Sequence, residues 1–89
     1  MADTTGRRLI LKDKTTVEDG VAGFADGFLW LYFTGYTIAE AAAVFADPNK
    51  TGIIVFQYGN MKDRYEGFTN CKTVQMNGDG KISVCMTKP

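Results

Sequence analysis

Apolar residues in this chain fall in short runs of period two, interrupted once by a stretch of period near 3.6. The first run lies in "RRLILKD", where Arg8 to Lys12 reads as a strand. "DKTT" then supplies turn chemistry, because Asp and Thr side chains bond nearby backbone groups. "TVEDGVAGFA" reads as a second strand, interrupted near Asp19 and Gly20. In "FADGFLWLYF" an Asp-Gly pair separates two apolar runs, which favours a two-residue type I′ hairpin. With Asp26 and Gly27 as the loop, Ala25 faces Phe28, Phe24 faces Leu29 and Gly23 faces Trp30. A glycine opposite a tryptophan is expected to leave room for the indole over the neighbouring strand.

The period changes at "GYTIAEAAAVFADP". Thr37 and Glu40 have capping-box spacing, in which each side chain satisfies a free backbone N–H of the first turn. Ile38, Ala41, Ala42 and Phe45 fall on one helical face, and Asp47-Pro48 should end the helix about Ala46. About ten helical residues do not persist alone in water. The helix must dock, and the sheet carrying Trp30 is the nearest candidate.

Period two returns at Ile53 to Tyr58, whose first four residues are apolar on both faces, as in a central strand. Gly59-Asn60 suits a tight reversal. Along "MKDRYEGFTNCKTVQM" the apolar parity changes, from Met61 and Tyr65 to Phe68, Val74 and Met76. A strand changes faces only with an extra residue, so a bulge or break is expected near Gly67. "NGDG" closes the last hairpin as a type I turn with a glycine bulge at Gly80. That register puts Val74, Met76, Ile82, Val84 and Met86 on an inner face. Cys71, Thr73, Gln75, Ser83, Cys85 and Thr87 fall on the outer one, with Cys71 opposite Thr87 and Lys72 opposite Met86.

The order is βββ-α-βββ in one domain, with residues 1–6 expected to be disordered. The fold class is α+β and mainly antiparallel, either a sheet with a helix on one face or a small open barrel plugged by it. The run "FLWLYF" is the sharpest feature: six consecutive apolar residues, four of them aromatic. Phe28, Trp30 and Tyr32 point to one face, and Leu29, Leu31 and Phe33 to the other. Either the strand is buried on both sides, or one short helix leaves an aromatic face for a partner, since aromatics are typical interface anchors.

Composition narrows the alternatives. Apolar residues are 45% and charged residues 22% of 89, ordinary for a globular chain. Ten basic and ten acidic residues cancel, so no basic excess points to nucleic acid or anionic membranes. The longest apolar run is far below the roughly 20 residues needed to span a bilayer, and the N-terminal "MADTTGRRLILKDK" has no signal-peptide core. Cytoplasmic location is the expectation. Histidine is absent, which removes the usual base near neutral pH and the commonest metal ligand. Cys71 and Cys85 share the outer face as diagonal neighbours about 7–8 Å apart, beyond comfortable disulfide geometry. They are expected to stay reduced, although a shifted turn would bring them opposite each other.

Candidate chemistry is sparse. "NGDGK" resembles part of a calcium loop, but no glutamate follows Asp79, and a hairpin turn is the simpler reading. Glu18, Asp19, Asp63 and Glu66 have nothing in the sequence to bring them together for acid–base work. Phosphate loops, nucleophile elbows and zinc-ligand sets are missing, so no enzyme, cofactor or metal is expected. Single-stranded nucleic acid is the alternative, through Lys62, Arg64 and Tyr65, because small barrels stack bases on aromatics beside cations.

The stretch "YFTGYTIAEAAAVFADPNKTGIIVFQYG", with "DRYEGFT" and "GDGKISVCM", resembles short uncharacterised proteins encoded in prophage-like regions of gut Firmicutes. The resemblance runs from Asp19 onward and carries no functional motif. It implies a small virion-assembly or phage accessory protein that works through protein contacts. Together with the aromatic run and the balanced charge, it favours a non-enzymatic interaction or structural module that self-associates, with Phe28, Trp30 and Tyr32 as the candidate interface.

Overall fold

The computed structural model describes residues 6–89, so the expectation of disorder falls outside it for residues 1–5. At Gly6 the carbonyl accepts a bond from the Gly59 N–H. Strands β1 (Arg7–Leu11), β2 (Thr16–Glu18), β3 (Val21–Ala25) and β4 (Phe28–Phe33) precede two helices, α1 (Ile38–Phe45) and α2 (Pro48–Thr51). Strands β5 (Ile53–Tyr58), β6 (Met61–Glu66), β7 (Asn70–Met76) and β8 (Ile82–Thr87) follow. All pairings are antiparallel and form two open four-stranded sheets, ordered β2-β1-β5-β6 and β3-β4-β8-β7. The α+β antiparallel class holds. The sheet is divided in two rather than single, and neither half closes into a barrel.

The extra strands arise where breaks were expected. Asp19 takes φ +59° and divides "TVEDGVAGFA" into β2 in the first sheet and β3 in the second. Gly20 makes that corner feasible, since a Cβ there would lie 2.6 Å from Leu9 Cγ. Gly67, at φ +83°, separates β6 from β7 in the same way. Asp26 and Gly27, at φ +53° and +82°, form the type I′ loop and set Ala25↔Phe28, Phe24↔Leu29 and Gly23↔Trp30.

The core lies between the sheets. Leu9, Leu11, Ile54 and Phe56 of the first sheet face Leu29, Leu31, Phe33, Ile82, Val84 and Met86 of the second. Helix α1 packs on β7 and β8 from that same side, with the Phe45 ring stacked 5.4 Å from Phe33. It docks on the sheet carrying Trp30, but on the side away from the indole. Its capping box is complete: Glu40 N–H donates to Thr37 Oγ1, and Thr37 N–H donates to Glu40 Oε1. Of the expected apolar face, Ala41 and Phe45 are buried, whereas Ile38 is 47% exposed because it lies in the first turn, beyond the core. Asp47 then caps the single turn of α2, accepting from the Asn49 N–H.

Two registers differ from expectation. β7 slips between Cys71 and Thr73, leaving Lys72 as the extra residue, so Cys71 and not Lys72 lies opposite Met86. Asn70 takes the position opposite Thr87 and donates to its Oγ1. Cys71 thereby turns to the core side while Cys85 stays on the outer side, and both thiols are free. The second correction concerns Gly23. A Cβ there would meet nothing within 4 Å, so the indole of Trp30 does not lie over it. The ring leans along its own strand toward Phe28, with centroids 6.4 Å apart.

Lys50 Nζ bonds Asp13 Oδ2 and Thr15 Oγ1, and Lys50 O accepts from the Lys12 N–H. These contacts fasten the β1–β2 turn to α2. The Lys50 and Thr15 bonds hold the Asp13 carboxyl well below the usual carboxylate range. A depressed folded-state pKa stabilises above the unfolded value and is lost as pH falls through the folded one. Asp13→Asn should therefore lose less stability than wild type between about pH 5 and pH 2, as read by urea midpoints. In dilute protein, Phe33→Ala should cost about 3–5 kcal/mol. Trp30→Ala should cost about 1–2 kcal/mol, as for a side chain only half withdrawn from water.

Candidate interaction surface

Strands β4 and β8 are interior in the second sheet and largely apolar on both faces, but among the described residues only one face has a layer against it. On the outer face Phe28, Trp30 and Tyr32 form a row along β4. Phe28 and Tyr32 are 37% and 39% exposed, and Trp30 is half-buried. Across the ladder Trp30 lies beside Cys85 and Tyr32 beside Ser83, both of which are buried. Ser83 accepts from Asn77 Nδ2. Val21, Gly23 and Ala25 flank the row on β3, and Thr73 and Gln75 complete the face on β7. None of these residues carries a charge, whereas Lys72, the bulge residue of β7, lies close enough for its charge to act on the Cys85 thiol.

The other sheet turns a different exterior to solvent. There Arg8, Glu18, Lys62, Arg64 and Glu66 surround Ile10 and Val55, which are half-buried. Arg8 lies opposite Glu18 across β1 and β2, and Arg64 pairs with Glu66 along β6, as on a solvated face. The two exteriors thus differ, and the one with fewer charges carries the aromatic row. Charges return at its Tyr32 end, where Arg7, Asp19 and Lys81 join Val21, Tyr32, Phe33 and Thr34 around a recess of about 250 Å³. An apolar centre with a polar rim is the usual anatomy of a protein contact surface.

Lys62, Arg64 and Tyr65 do not share a face. Lys62 and Arg64 point outward on β6, and Arg64 Nε pairs with Glu66 Oε2 at 2.8 Å. Tyr65, between them, turns to the core side and meets Phe68 edge-on at 6.2 Å. Burial pushes its hydroxyl pKa up, with the Asp63 charge adding to the effect. Alternation along one strand therefore separates the stacking platform from the cations. Phe68 meets Phe24 edge-on at 5.7 Å and carries Lys88 above its ring. Sequence reasoning did not single out that cluster, because Phe24, Phe68 and Lys88 converge from three distant segments.

Among the described residues, no three His, Cys, Asp or Glu side chains gather as a metal site, and no helix is long and apolar enough to cross a membrane. Asp63 accepts from the Tyr58 hydroxyl at 3.2 Å, which raises the Tyr58 pKa. No protein-family model matches the chain, and neither a curated protein nor a solved structure does.

Cys85 reports on the aromatic row. Burial pushes its thiol pKa up, and the Lys72 charge only partly offsets this. Alkylation of Cys85 should accordingly be slow at neutral pH. Trp30→Ala should accelerate it several-fold with little effect on Cys71, as site-resolved mass spectrometry would show. Equal acceleration at both thiols would mean that the substitution loosens the whole domain.

Proposed function

We propose that this protein is a non-enzymatic interaction module that self-associates through the outer face of the β3-β4-β8-β7 sheet, with Phe28, Trp30 and Tyr32 as anchors. One observation carries the reading: this face is aromatic and carries no charge on β3, β4 or β8, while the opposite exterior carries charges on three of its four strands. Tyrosine, tryptophan and phenylalanine concentrate binding energy when they lose water at a contact centre. Zero formal net charge adds no long-range repulsion between copies. The finer reading is a small phage assembly or accessory protein, at work in the cytoplasm or incorporated in a virion. It rests on the resemblance to prophage-encoded proteins and on the architectural character of the chain.

Nucleic-acid binding has less support, because Tyr65 faces away from Lys62 and Arg64. Light scattering across a concentration series tests the favoured reading. The wild type should gain mass with concentration. Trp30→Ser together with Tyr32→Ser should weaken association at least about tenfold, as expected for loss of two anchors. A wild type that stays monomeric at millimolar concentration would overturn the reading.

A further inference from the structure

Phe24, Arg64, Tyr65, Glu66, Phe68 and Lys88 line a recess of about 340 Å³. Four separate segments build it. Phe24 precedes the Asp26–Gly27 loop, Arg64 to Glu66 close β6, Phe68 follows the break at Gly67, and Lys88 follows β8. Register brings them to one end of the domain. Phe24, Leu29 and Met86 lie in line across the second sheet, so Phe24 and Lys88 share that end. Asn70 lies opposite Thr87 and donates to its Oγ1, which holds the Phe68 segment beside the Lys88 segment.

Buried Phe68 anchors the aromatic wall. Phe24 and Tyr65 both meet it edge-on, and Lys88 Nζ lies 5.3 Å from the centre of its ring. An edge-on contact engages at most one face of a ring. Phe24, still 54% exposed, therefore keeps a ring face open to the recess. The charges at the rim are unequal. Arg64 and Glu66 pair with each other, and their charges cancel. Among the described residues, Lys88 has no carboxylate within ion-pair distance, so its ammonium sets the sign of the recess.

We infer that this recess binds a small planar aromatic anion of the nucleoside monophosphate kind, with its ring stacked on Phe24 and its anionic group against Lys88. A flat ring suits an open aromatic face, because stacking requires no matched set of hydrogen bonds. The unpaired ammonium beside that face selects an anion over a neutral ring and repels a cation. The volume is at the small end of ligand sites, which run from about 300 to 1,000 Å³, and so suits one ring with one charged group. A nucleic-acid strand fits less well. Lys62 lies on the other face of β6 from Tyr65, and Arg64 is engaged by Glu66, so no row of cations follows a backbone away from the recess. Phe24 is on the core-facing side of β3, whereas the Trp30 row is on the outer side of its sheet. Binding here therefore goes beyond the self-association proposed above and does not depend on it.

Titration of the isotope-labelled protein with adenosine monophosphate, followed by amide NMR shifts, tests the site. The signals of Phe24, Tyr65, Phe68 and Lys88 should move together and saturate, with a Kd on the order of 1 mM, as for one stacked ring and one exposed ion pair. Adenosine and inorganic phosphate each offer half of the contact and should bind several-fold more weakly. Phe24→Leu keeps apolar cover on Phe68 but removes the flat ring, and it should weaken binding about tenfold. Phe24→Tyr restores the ring and should restore the affinity. Lys88→Gln should weaken the monophosphate about threefold and leave adenosine unchanged. Failure of these four signals to saturate, equal affinity for adenosine and its monophosphate, or wild-type affinity in both Phe24→Leu and Lys88→Gln overturns the site. A short single-stranded oligonucleotide should bind no tighter than the mononucleotide. An oligonucleotide more than about tenfold tighter, with affinity falling steeply in salt, overturns the small-anion reading in favour of a strand. Light scattering on the same samples reads self-association separately, so neither result substitutes for the other.

Discussion

Strand β8 is buried along almost its whole length, on both faces, within a sheet that has a second layer on only one side. On the core side, Ile82, Val84 and Met86 are covered by the first sheet and α1. On the outer side, Ser83 and Cys85 are also buried, and among the described residues they lie beside Tyr32 and Trp30 on β4 and Gln75 and Thr73 on β7. The aromatic row thus does a share of the work that a further layer would do. Apolar side chains spread over a sheet shelter the strand beneath them but leave their own upper surfaces in water. This cost is reduced when another surface settles on them, at roughly 25 cal/mol per Å² of apolar area removed from water.

The helix cannot supply that cover. Eight residues of α1 span about 12 Å, and its buried side chains are already engaged with Phe33 and the inner ends of β7 and β8. The first sheet is committed to the same side, because the Asp19–Gly20 corner folds β2 and β3 into stacked edges. Chain length and connectivity therefore direct both covering layers inward. Among the described residues, no element covers the exterior of the second sheet.

The local parts of this arrangement were legible in the sequence because turn chemistry pins register. Asp26-Gly27 determined every β3–β4 pair, Thr37 and Glu40 marked the helix start, and Gly67 marked the break before β7. Hence the facing of Phe28, Trp30 and Tyr32 was readable from spacing alone. The division into two sheets was not, because β1 pairs with β5 across three strands and two helices, and no local signal encodes such a pairing. The slip at Lys72 was hidden too: between Asn70 and Thr73, Cys71 alone is apolar, which is too little to show parity. Its consequence was to move Cys71 to the other face from Cys85. Tyr65 was misjudged as a partner of Lys62 and Arg64 because adjacency in sequence is opposition in a strand.

The contrast between the two exteriors bears directly on function. Both sheets have four strands and similar lengths, and both were free to carry alternating charges outward. Only the first does so, although the chain has charges to spare and balances them evenly. A soluble monomer has reason to break up a contiguous apolar surface, since such surfaces invite association. Here an aromatic face with few charges and a zero net charge lie in one molecule, and the self-association proposed above rests on them.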